Sequence, residues 1–116
     1  MEIKQLDRKD AVAYLTLRLE ALQKNPEAFA ASFEEEKNNP VEKYEKRFES
    51  PNNSFTFGAF DGGELVGTVT LLLESRIKLE HRANIVAMYV KEEKRGLGIG
   101  KKLLKELFKY FKQMNY

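Results

Sequence analysis

Three closely spaced glycines near the end of the chain form the pattern that most clearly predicts chemistry. Gly96, Gly98 and Gly100 alternate with single residues, between an apolar segment that ends at Val90 and a segment of helical periodicity. Glycines lack a Cβ, so backbone N–H groups can approach a ligand closely. A helix N-terminus adds about half a positive charge. The pattern therefore predicts a loop that binds an anion such as a pyrophosphate.

Cationic side chains flank this loop. Arg95 precedes the first glycine and Lys101 follows the last. Residues 91–116 hold eight basic and three acidic residues, a net charge of +5, whereas residues 1–90 have a net charge of −3. Charge alone favours a solvated, lysine-rich helix face. It is the three glycines that favour an anionic ligand.

Two common phosphate-binding loops do not fit the spacing. A Walker A loop needs a glycine where Arg95 stands and a hydroxyl where Lys102 stands. A Rossmann loop needs Gly-x-Gly-x-x-Gly after the first strand of a parallel unit. Here the spacing is Gly-x-Gly-x-Gly and it comes late in the chain. Neither class of nucleotide-binding loop is predicted.

Apolar periodicity predicts the elements that position the loop. The order β-α-α-β-β-β-α predicts an α/β (α+β) fold with a mainly antiparallel sheet flanked by helices. The segment 83–90 is nearly all apolar, which is typical of a strand covered on both faces. Strands are predicted at 2–6, 55–59, 65–75 and 83–90, and helices at 8–24, 40–49 and 98–115.

Local signals predict where several elements begin and turn. Asp7 and Asp10 indicate the start of the first helix, and Asn39 before Pro40 indicates a cap for the second. Asp61-Gly62-Gly63 predicts a hairpin turn. The apolar stripe of the first helix is predicted at Val12, Leu15, Leu19 and Leu22, and that of the last helix includes Phe108 and Phe111.

Length and composition predict one soluble domain over residues 1–116. Hydrophobic residues make up 42% of the chain and charged residues 33%, which excludes a disordered tail. Cysteine is absent, so disulfides, cysteine-based zinc sites and cysteine nucleophiles are excluded, and a reducing cytoplasm is predicted. The longest mostly apolar stretch, Leu65 to Leu73, is too short to cross a membrane.

The segment Arg95-Gly-Leu-Gly-Ile-Gly100, after a strand that ends in Met88-Tyr-Val90, resembles the acetyl-CoA motif of the GNAT superfamily of N-acetyltransferases. The order of predicted elements resembles that fold along nearly the whole chain. The resemblance implies transfer of an acetyl group from acetyl-CoA to a primary amine, by direct attack and without a metal. The amine would belong to a small molecule, a peptide or protein N-terminus, or a lysine.

The resemblance also implies the residues that contact coenzyme A. The loop N–H groups would bind its pyrophosphate, the strand's backbone would pair with its pantetheine arm, and an amide near Met88 or Val90 would polarise the thioester carbonyl. The acceptor amine would lie near Phe29 and Phe33. The implied coenzyme-binding residues are Met88, Tyr89, Val90, Arg95, Gly96, Leu97, Gly98, Ile99, Gly100 and Lys101.

The chain departs from the family pattern at the general base. Asn84 stands where many members carry a glutamate, and an asparagine cannot accept the proton of the amine. Glu74, Glu80 and His81 lie nearby in sequence, but no catalytic base is assigned. The acidic run 34–36 could suit a cationic amine, although a solvated face is the preferred interpretation.

A second departure concerns the C-terminus. Family members continue into a further strand, helix and hairpin, which would supply the acid that protonates the leaving thiolate. The chain is therefore interpreted as an incomplete domain. The strand 83–90 would then be an exposed edge, which predicts a homodimer. The alternative function is an inactive coenzyme-binding or protein-interaction module. Nucleic-acid binding is not predicted, because Phe108 and Phe111 fall on the apolar side of the basic helix.

Overall fold

Four strands, four α-helices and three short 3₁₀ helices are the regular elements in the part of the chain that the structure describes. The structure is a computed structural model, and it describes residues 1–29, 31–75 and 81–114. No helix within these ranges is long and apolar enough to span a bilayer. The strands and α-helices are β1 (Glu2–Gln5), α1 (Ala11–Lys24), α2 (Phe33–Glu36), α3 (Val41–Glu49), β2 (Ser54–Asp61), β3 (Glu64–Ser75), β4 (His81–Val90) and α4 (Ile99–Gln113).

The strands form one antiparallel sheet in the order β1-β2-β3-β4. Strands β2 and β3 are joined by a tight hairpin, in which Asp61 pairs with Glu64. The turn residues Gly62 and Gly63 have φ angles of +60° and +86°, which glycine adopts at no steric cost. The predicted hairpin and the mainly antiparallel α/β class are confirmed.

Helices cover both faces of the sheet. Helix α4 packs on one face through Ile99, Leu103 and Leu107, which are at most 2% exposed. Helices α1 and α3 pack on the other face, where Leu17 and Tyr44 belong to a second buried cluster. Because both faces are covered, five consecutive residues of β2 are buried. This two-sided arrangement places the loop before α4 at one end of the sheet.

Helix α1 buries only part of the predicted stripe: Leu22 is 1% exposed, as predicted. Val12, in the predicted stripe, is 62% exposed. The helix instead faces the core with Ala11, Tyr14, Leu17 and Ala21. The two alanines let the helix approach the sheet closely. The predicted stripe was based on large apolar residues alone and therefore left these alanines out.

The predicted helix starts have different outcomes. The start at Asp7 is confirmed, because Asp7 caps a 3₁₀ turn (Arg8–Asp10) that runs directly into α1. The Asp7 carboxylate accepts from Lys9 N, and Asp10 Oδ2 accepts from Asp7 N, each at 2.9 Å. The cap predicted at Asn39 is wrong. Pro40 is extended and occupies the cap position of α3 without a side-chain bond. Asn39 therefore lies one residue before the cap position of α3. Its Nδ2 donates instead to the Tyr44 hydroxyl at 3.2 Å.

Helix α2 is an additional element that periodicity does not predict. A capping box holds this single turn, since Glu35 N donates to Ser32 Oγ at 3.1 Å and Ser32 N donates to Glu35 Oε1 at 3.2 Å. A helix of four residues is too short to produce a recognisable apolar stripe.

Helix α4 leaves one predicted core residue in solvent. Phe108 is 49% exposed, whereas Leu103 and Leu107 are fully buried. A step of one residue rotates a side chain by about 100° around the helix. Phe108 therefore points away from the sheet that holds Leu107, and the prediction that it is buried is wrong.

Strand β4 contains a bulge near its centre. Thr68 faces Tyr89 and Thr70 faces Val86, so β4 has one extra residue between these pairs. Ala87 lies in the bulge with a φ of +53°, a left-handed conformation that costs a non-glycine residue about 1–2 kcal/mol. The bulge changes the direction of β4 and of the side chains that follow it.

Strand β4 is not covered on both faces, contrary to the sequence-based prediction. Ile85 is 42% exposed and Met88 is 39% exposed. Within the described part of the chain, β4 pairs with β3 alone and forms an edge of the sheet. Pairing of residues 83–90 with a second copy stays a prediction.

Candidate functional site

The glycine loop between β4 and α4 has the backbone conformation that its sequence suggests. Gly96 and Gly98 have φ angles of +87° and +76°, and a Cβ added at either position would meet nothing within 4 Å. The backbone thus needs glycine here, while the space above it is open. At Gly100 an added Cβ would lie 2.7 Å from Met88 Cε, so this glycine lets the β4 side chain approach the helix.

The first turn of α4 presents unpaired backbone donors. Gly98 is the N-cap residue and provides no side chain to cap the helix. The first bond of the helix runs from Lys102 N to Gly98 O at 3.1 Å. The N–H groups of Ile99, Gly100 and Lys101 therefore have no acceptor inside the helix. They point where an anion would be stabilised by the helix dipole.

A cleft of about 350 Å³ lies beside these donors. Its walls are formed by the end of β4, the glycine loop and the first turn of α4, so the cleft reaches the edge of the sheet. Lys94 is held at the rim by an ion pair with Asp61, at 3.0 Å, and that carboxylate raises the pKa of Lys94. The cleft is lined by Val90, Lys94, Arg95, Gly96, Gly98, Ile99 and Gly100.

The end of β4 directs backbone groups toward the open edge. Lys91 N donates to Val66 O at 2.9 Å, and Gly67 is paired with Val90. Hydrogen-bonded and non-bonded pairs alternate along an antiparallel ladder. The N–H and C=O of Val90 therefore face away from β3. Arg95 Nε already donates to Val90 O at 3.0 Å.

Tyr89 fixes this end of β4 to helix α1. Its side chain is 5% exposed, and its hydroxyl donates to Glu20 Oε2 at 2.8 Å. Burial and the hydrogen bond to Glu20 raise the pKa of Tyr89 to about 12. Lys91 Nζ lies 3.5 Å from both Glu20 and Glu64. Partial burial lowers the pKa of Lys91, but these carboxylates outweigh it and the pKa is raised.

A groove of about 380 Å³ runs along the same edge of β4. On one side it is bounded by the segment after α1, including Phe29, and on the other by Met88 and Val90. The Arg95 guanidinium lies 5.5 Å from the centre of the Tyr89 ring and also lines this groove. The groove and the glycine cleft share Val90 and Arg95, so they adjoin at the end of β4.

A separate cavity of about 310 Å³ lies on the α1 and α3 side of the sheet, next to the bulge in β4. Its sheet wall includes Val86 and Ala87, which directly precede Met88. We call it the bulge cavity. It is lined by Tyr14, Arg18, Glu36, Lys43, Tyr44, Arg47, Ser54, Thr70, Leu72, Val86 and Ala87.

Glu36, the one carboxylate among the described residues that line the bulge cavity, is already paired. Arg18 Nε and Nη2 donate to the two oxygens of Glu36, each at 3.1 Å. Burial lowers the pKa of Arg18, but Glu36 and the neighbouring tyrosines outweigh it, so the pKa is raised. The Arg18 guanidinium also lies 5.1 Å from the centre of the Phe29 ring. The pair joins α1 to α2 and closes one side of the cavity.

Helix α3 supplies the cavity's other charges. Arg47 lies 5.1 Å and Lys43 lies 5.9 Å from the centre of the Tyr44 ring. Neither has a carboxylate partner among the described residues. Tyr14 packs against Tyr44 with ring centroids 5.4 Å apart, and burial raises the pKa of Tyr14.

The structure brings together the residues from Met88 to Lys101 that the sequence analysis singled out. The Asn84 position is exposed on β4, opposite Leu72. Glu80 lies outside the described residues, as do the side chains of Glu74 and His81. The described residues contain no group of three or more acidic or histidine side chains suited to a metal ion.

Sequence reasoning missed the bulge cavity and the anchor between Tyr89 and Glu20. A partial signal was present, because Tyr14 and Arg18 are four residues apart and Tyr44 and Arg47 are three apart, so each pair shares a helix face. The acidic run was interpreted as solvated, and this holds for Glu34 and Glu35, which are exposed.

The sheet and the glycine loop together define a mixed α/β protein in which uncapped N–H donors lie beside the β4 edge of the described sheet. Residues 17–116 match the sequence model described as "Acetyltransferase (GNAT) family". The chain belongs to this family, and acetyl transfer is its class of reaction. No curated protein matches the chain significantly.

Solved acetyltransferase structures share the fold. One is an aminoglycoside acetyltransferase from an uncultured soil metagenomic sample, in complex with sisomicin. It is 20% identical with a TM-score of 0.74, and the match covers 99% of this chain and 72% of that chain. A second is a ribosomal-protein-alanine N-acetyltransferase from Brucella melitensis biovar Abortus 2308, with 22% identity, a TM-score of 0.76 and coverage of 99% and 74%.

A third structure is the PaiA N-acetyltransferase from Thermoplasma acidophilum, in complex with coenzyme A. It is 23% identical with a TM-score of 0.77, and the match covers 98% of this chain and 73% of that chain. At these identities the likeness is one of fold.

Proposed function

We propose that this chain transfers an acetyl group from acetyl-CoA to a primary amine by direct attack. Acetyl-CoA supplies the activated acetyl thioester. The chain's own residues bind the coenzyme, orient the thioester at the edge of β4 and hold the amine beside it. Positioning of two reactants in this way accounts for a large part of the rate enhancement that such enzymes need.

The observation that carries this proposal is the cradle before α4. Three uncapped N–H groups, from Ile99 to Lys101, lie at the end of a loop in which Gly96 and Gly98 keep the space open. Exposed Lys101 adds a full positive charge. This donor set suits a pyrophosphate, which carries several negative oxygens and needs closely spaced donors.

The pantetheine arm would lie in the groove along β4. The outward N–H and C=O of Val90 offer the donor and acceptor that an added strand would use. The N–H of Met88 or Val90 would polarise the thioester carbonyl, as an oxyanion hole does. Arg95 would have to release Val90 O, or share it, when the arm binds, because its Nε now donates to that oxygen.

The acceptor would approach from the bulge cavity, since Ala87 lines that cavity and directly precedes Met88. Small-molecule amines and protein amino groups are both candidates, as the aminoglycoside and ribosomal-protein enzymes of similar fold illustrate. The proposal assigns no general base to a described residue.

A thermal-shift panel tests coenzyme binding. Acetyl-CoA at about a hundredfold excess over Kd should raise the midpoint by roughly 10 °C, because such an excess stabilises the fold by about 2.7 kcal/mol. ATP, which carries phosphates without pantetheine, should shift it far less. No shift with acetyl-CoA in a folded sample would contradict the assignment.

The second candidate function is a coenzyme-binding module without turnover, which Asn84 at the usual glutamate position favours. A thiol-release assay over a panel of amines separates the two candidates. Release that depends on an amine supports the transferase. Coenzyme binding without release from any amine supports the inactive module.

A further inference from the structure

We propose that the bulge cavity recognises an acceptor amine that carries its own carboxylate, of the size of a free amino acid. This inference rests on the proposed function and specifies its acceptor. The cavity of about 310 Å³ is at the lower end of the range for small-molecule sites. The proposal rests on the charge of the cavity lining, on its aromatic walls and on its position relative to β4.

The charge of the lining is the first observation. Arg18, Lys43 and Arg47 line the cavity together with a single carboxylate, that of Glu36. The described lining residues therefore carry a net charge of +2. Such a cavity attracts an anionic group and repels a polycation.

The pairing of these charges sharpens this conclusion. Both oxygens of Glu36 accept from Arg18, so this carboxylate is not free to bind a cationic amine. Arg47 and Lys43 make only cation–π contacts with Tyr44 within the described part of the chain. Their N–H donors are available to a ligand. An arginine fork matches a carboxylate in geometry as well as in charge.

The tyrosines shape the space between the charges and the sheet. Tyr14 is fixed by Tyr44 on one side, with ring centroids 5.4 Å apart, and by Phe48 on the other, at 5.2 Å. These rings form a rigid wall, and Leu72 and Val86 add apolar surface on the sheet. The cavity therefore accepts an apolar or aromatic side chain next to a carboxylate.

The position of the cavity orients such a ligand. Its cations are on helices α1 and α3, whereas its sheet wall ends at Ala87, next to Met88. A ligand whose carboxylate contacts Arg47 would point its amino group toward β4. That is where the proposed thioester carbonyl would lie, so the same contact that selects the acceptor would align it.

Isothermal titration of the full chain with matched amines tests the inference. The two pairs are phenylalanine with phenethylamine and leucine with isoamylamine, which differ only in the carboxylate. The amino acid should bind at least about tenfold more tightly in each pair, as expected for a charge-assisted hydrogen bond. Spermidine, a polycation, should not compete.

Substitutions on α3 test whether its cations cause the preference for a carboxylate. Arg47→Gln and Lys43→Gln should each weaken amino-acid binding about five- to tenfold and leave the binding of the carboxylate-free amines nearly unchanged. Lys46→Gln is the matched control, because Lys46 is exposed on the same helix and is not among the residues that line the cavity. Thermal midpoints verify that each variant is folded.

Two results would overturn the inference: equal binding of both members of each pair, or no binding of either amino acid at millimolar concentration. Coenzyme binding is measured separately, so the two proposals can fail independently. Coenzyme binding without amino-acid selectivity removes this inference alone. Amino-acid selectivity without coenzyme binding removes the transferase proposal and leaves the anion-selective cavity.

Discussion

Arg95 binds back onto the strand that precedes it: its Nε donates to Val90 O at 3.0 Å, while its guanidinium lies 5.5 Å from the centre of the Tyr89 ring. One side chain thus contacts both the outward edge of β4 and the glycine cleft. A ligand that pairs with β4 in the groove must either displace Arg95 from Val90 O or share that oxygen with it.

Replacement of Arg95 tests the cation at this junction. Arg95→Gln should weaken coenzyme A binding about five- to tenfold, since one charge next to the proposed pyrophosphate is lost. Lys105→Gln removes the same charge from an exposed position further along α4 and should change the Kd less than twofold. Titration calorimetry gives both values, and equal losses would indicate a general charge effect.

Replacement of Gly98 tests the backbone cradle. Gly98→Ala forces alanine to a φ of +76°, which should cost about 1–2 kcal/mol of stability and disturb the N–H groups of the loop. Gly62→Ala is a matched control, because Gly62 has a φ of +60° in the β2–β3 hairpin and is not among the residues that line the glycine cleft. Both variants should lose similar stability in urea, but only Gly98→Ala should lose coenzyme binding. Retained binding in Gly98→Ala would contradict the cradle.

The raised pKa of Tyr89 predicts an alkaline loss of stability. Its value of about 12 in the folded chain lies above the ordinary value of about 10, so the folded state holds the proton more tightly. Stability should therefore fall as the pH rises from about 10 to 12. Tyr89→Phe should flatten that part of the curve, measured by urea unfolding against pH. Parallel curves for the two proteins would contradict the shift.

Replacement of the Arg18–Glu36 pair tests how a half-buried ion pair contributes to the fold. Arg18→Met leaves Glu36 without its partner and should destabilise the chain by about 2–3 kcal/mol. The double change Arg18→Met with Glu36→Met removes both charges and should cost less than the single change. Urea unfolding of the set gives the coupling. A double variant that is less stable than Arg18→Met would contradict this account.

Replacement of Ala87 tests the strain in the bulge. Ala87→Gly relieves a residue held at a φ of +53° and should stabilise the chain by roughly 0.5–1 kcal/mol. Ala83→Gly, in the regular part of the same strand, should destabilise it by a similar amount, because glycine weakens a strand. Opposite signs in thermal or urea unfolding support the assignment, and two losses would contradict it.

The fold was predictable where local signals and burial agree. The hairpin at Gly62 and Gly63 and the start at Asp7 depend on short-range chemistry, and both were predicted correctly. Val12 and Phe108 were placed in the core wrongly, because apolar type does not show which side of a helix meets the sheet. Burial of a residue such as Ala21 depends on close approach, which the sequence does not display.

The two parts of the candidate site also differ in how far the sequence predicts them. The cradle is continuous in sequence, from Val90 to Lys101, so its donors could be predicted from spacing. The bulge cavity combines residues from α1, α2, α3 and three strands. The contact of Arg18 with Glu36 spans 18 residues, and no local pattern indicates it.

The extra residue at Ala87 has a consequence for how the chain tolerates change in length. Three steps along β4 from Val86 to Tyr89 match two steps along β3 from Thr70 to Thr68. Deletion of Ala87 would leave two steps on each strand, so Val86 and Tyr89 would keep their partners while the bulge between them would disappear. The ladder therefore absorbs the loss of one residue here without a shift of register on either side. The change would be confined to the wall of the bulge cavity, which would lose Ala87, while the glycine cleft beyond Tyr89 would stay in place.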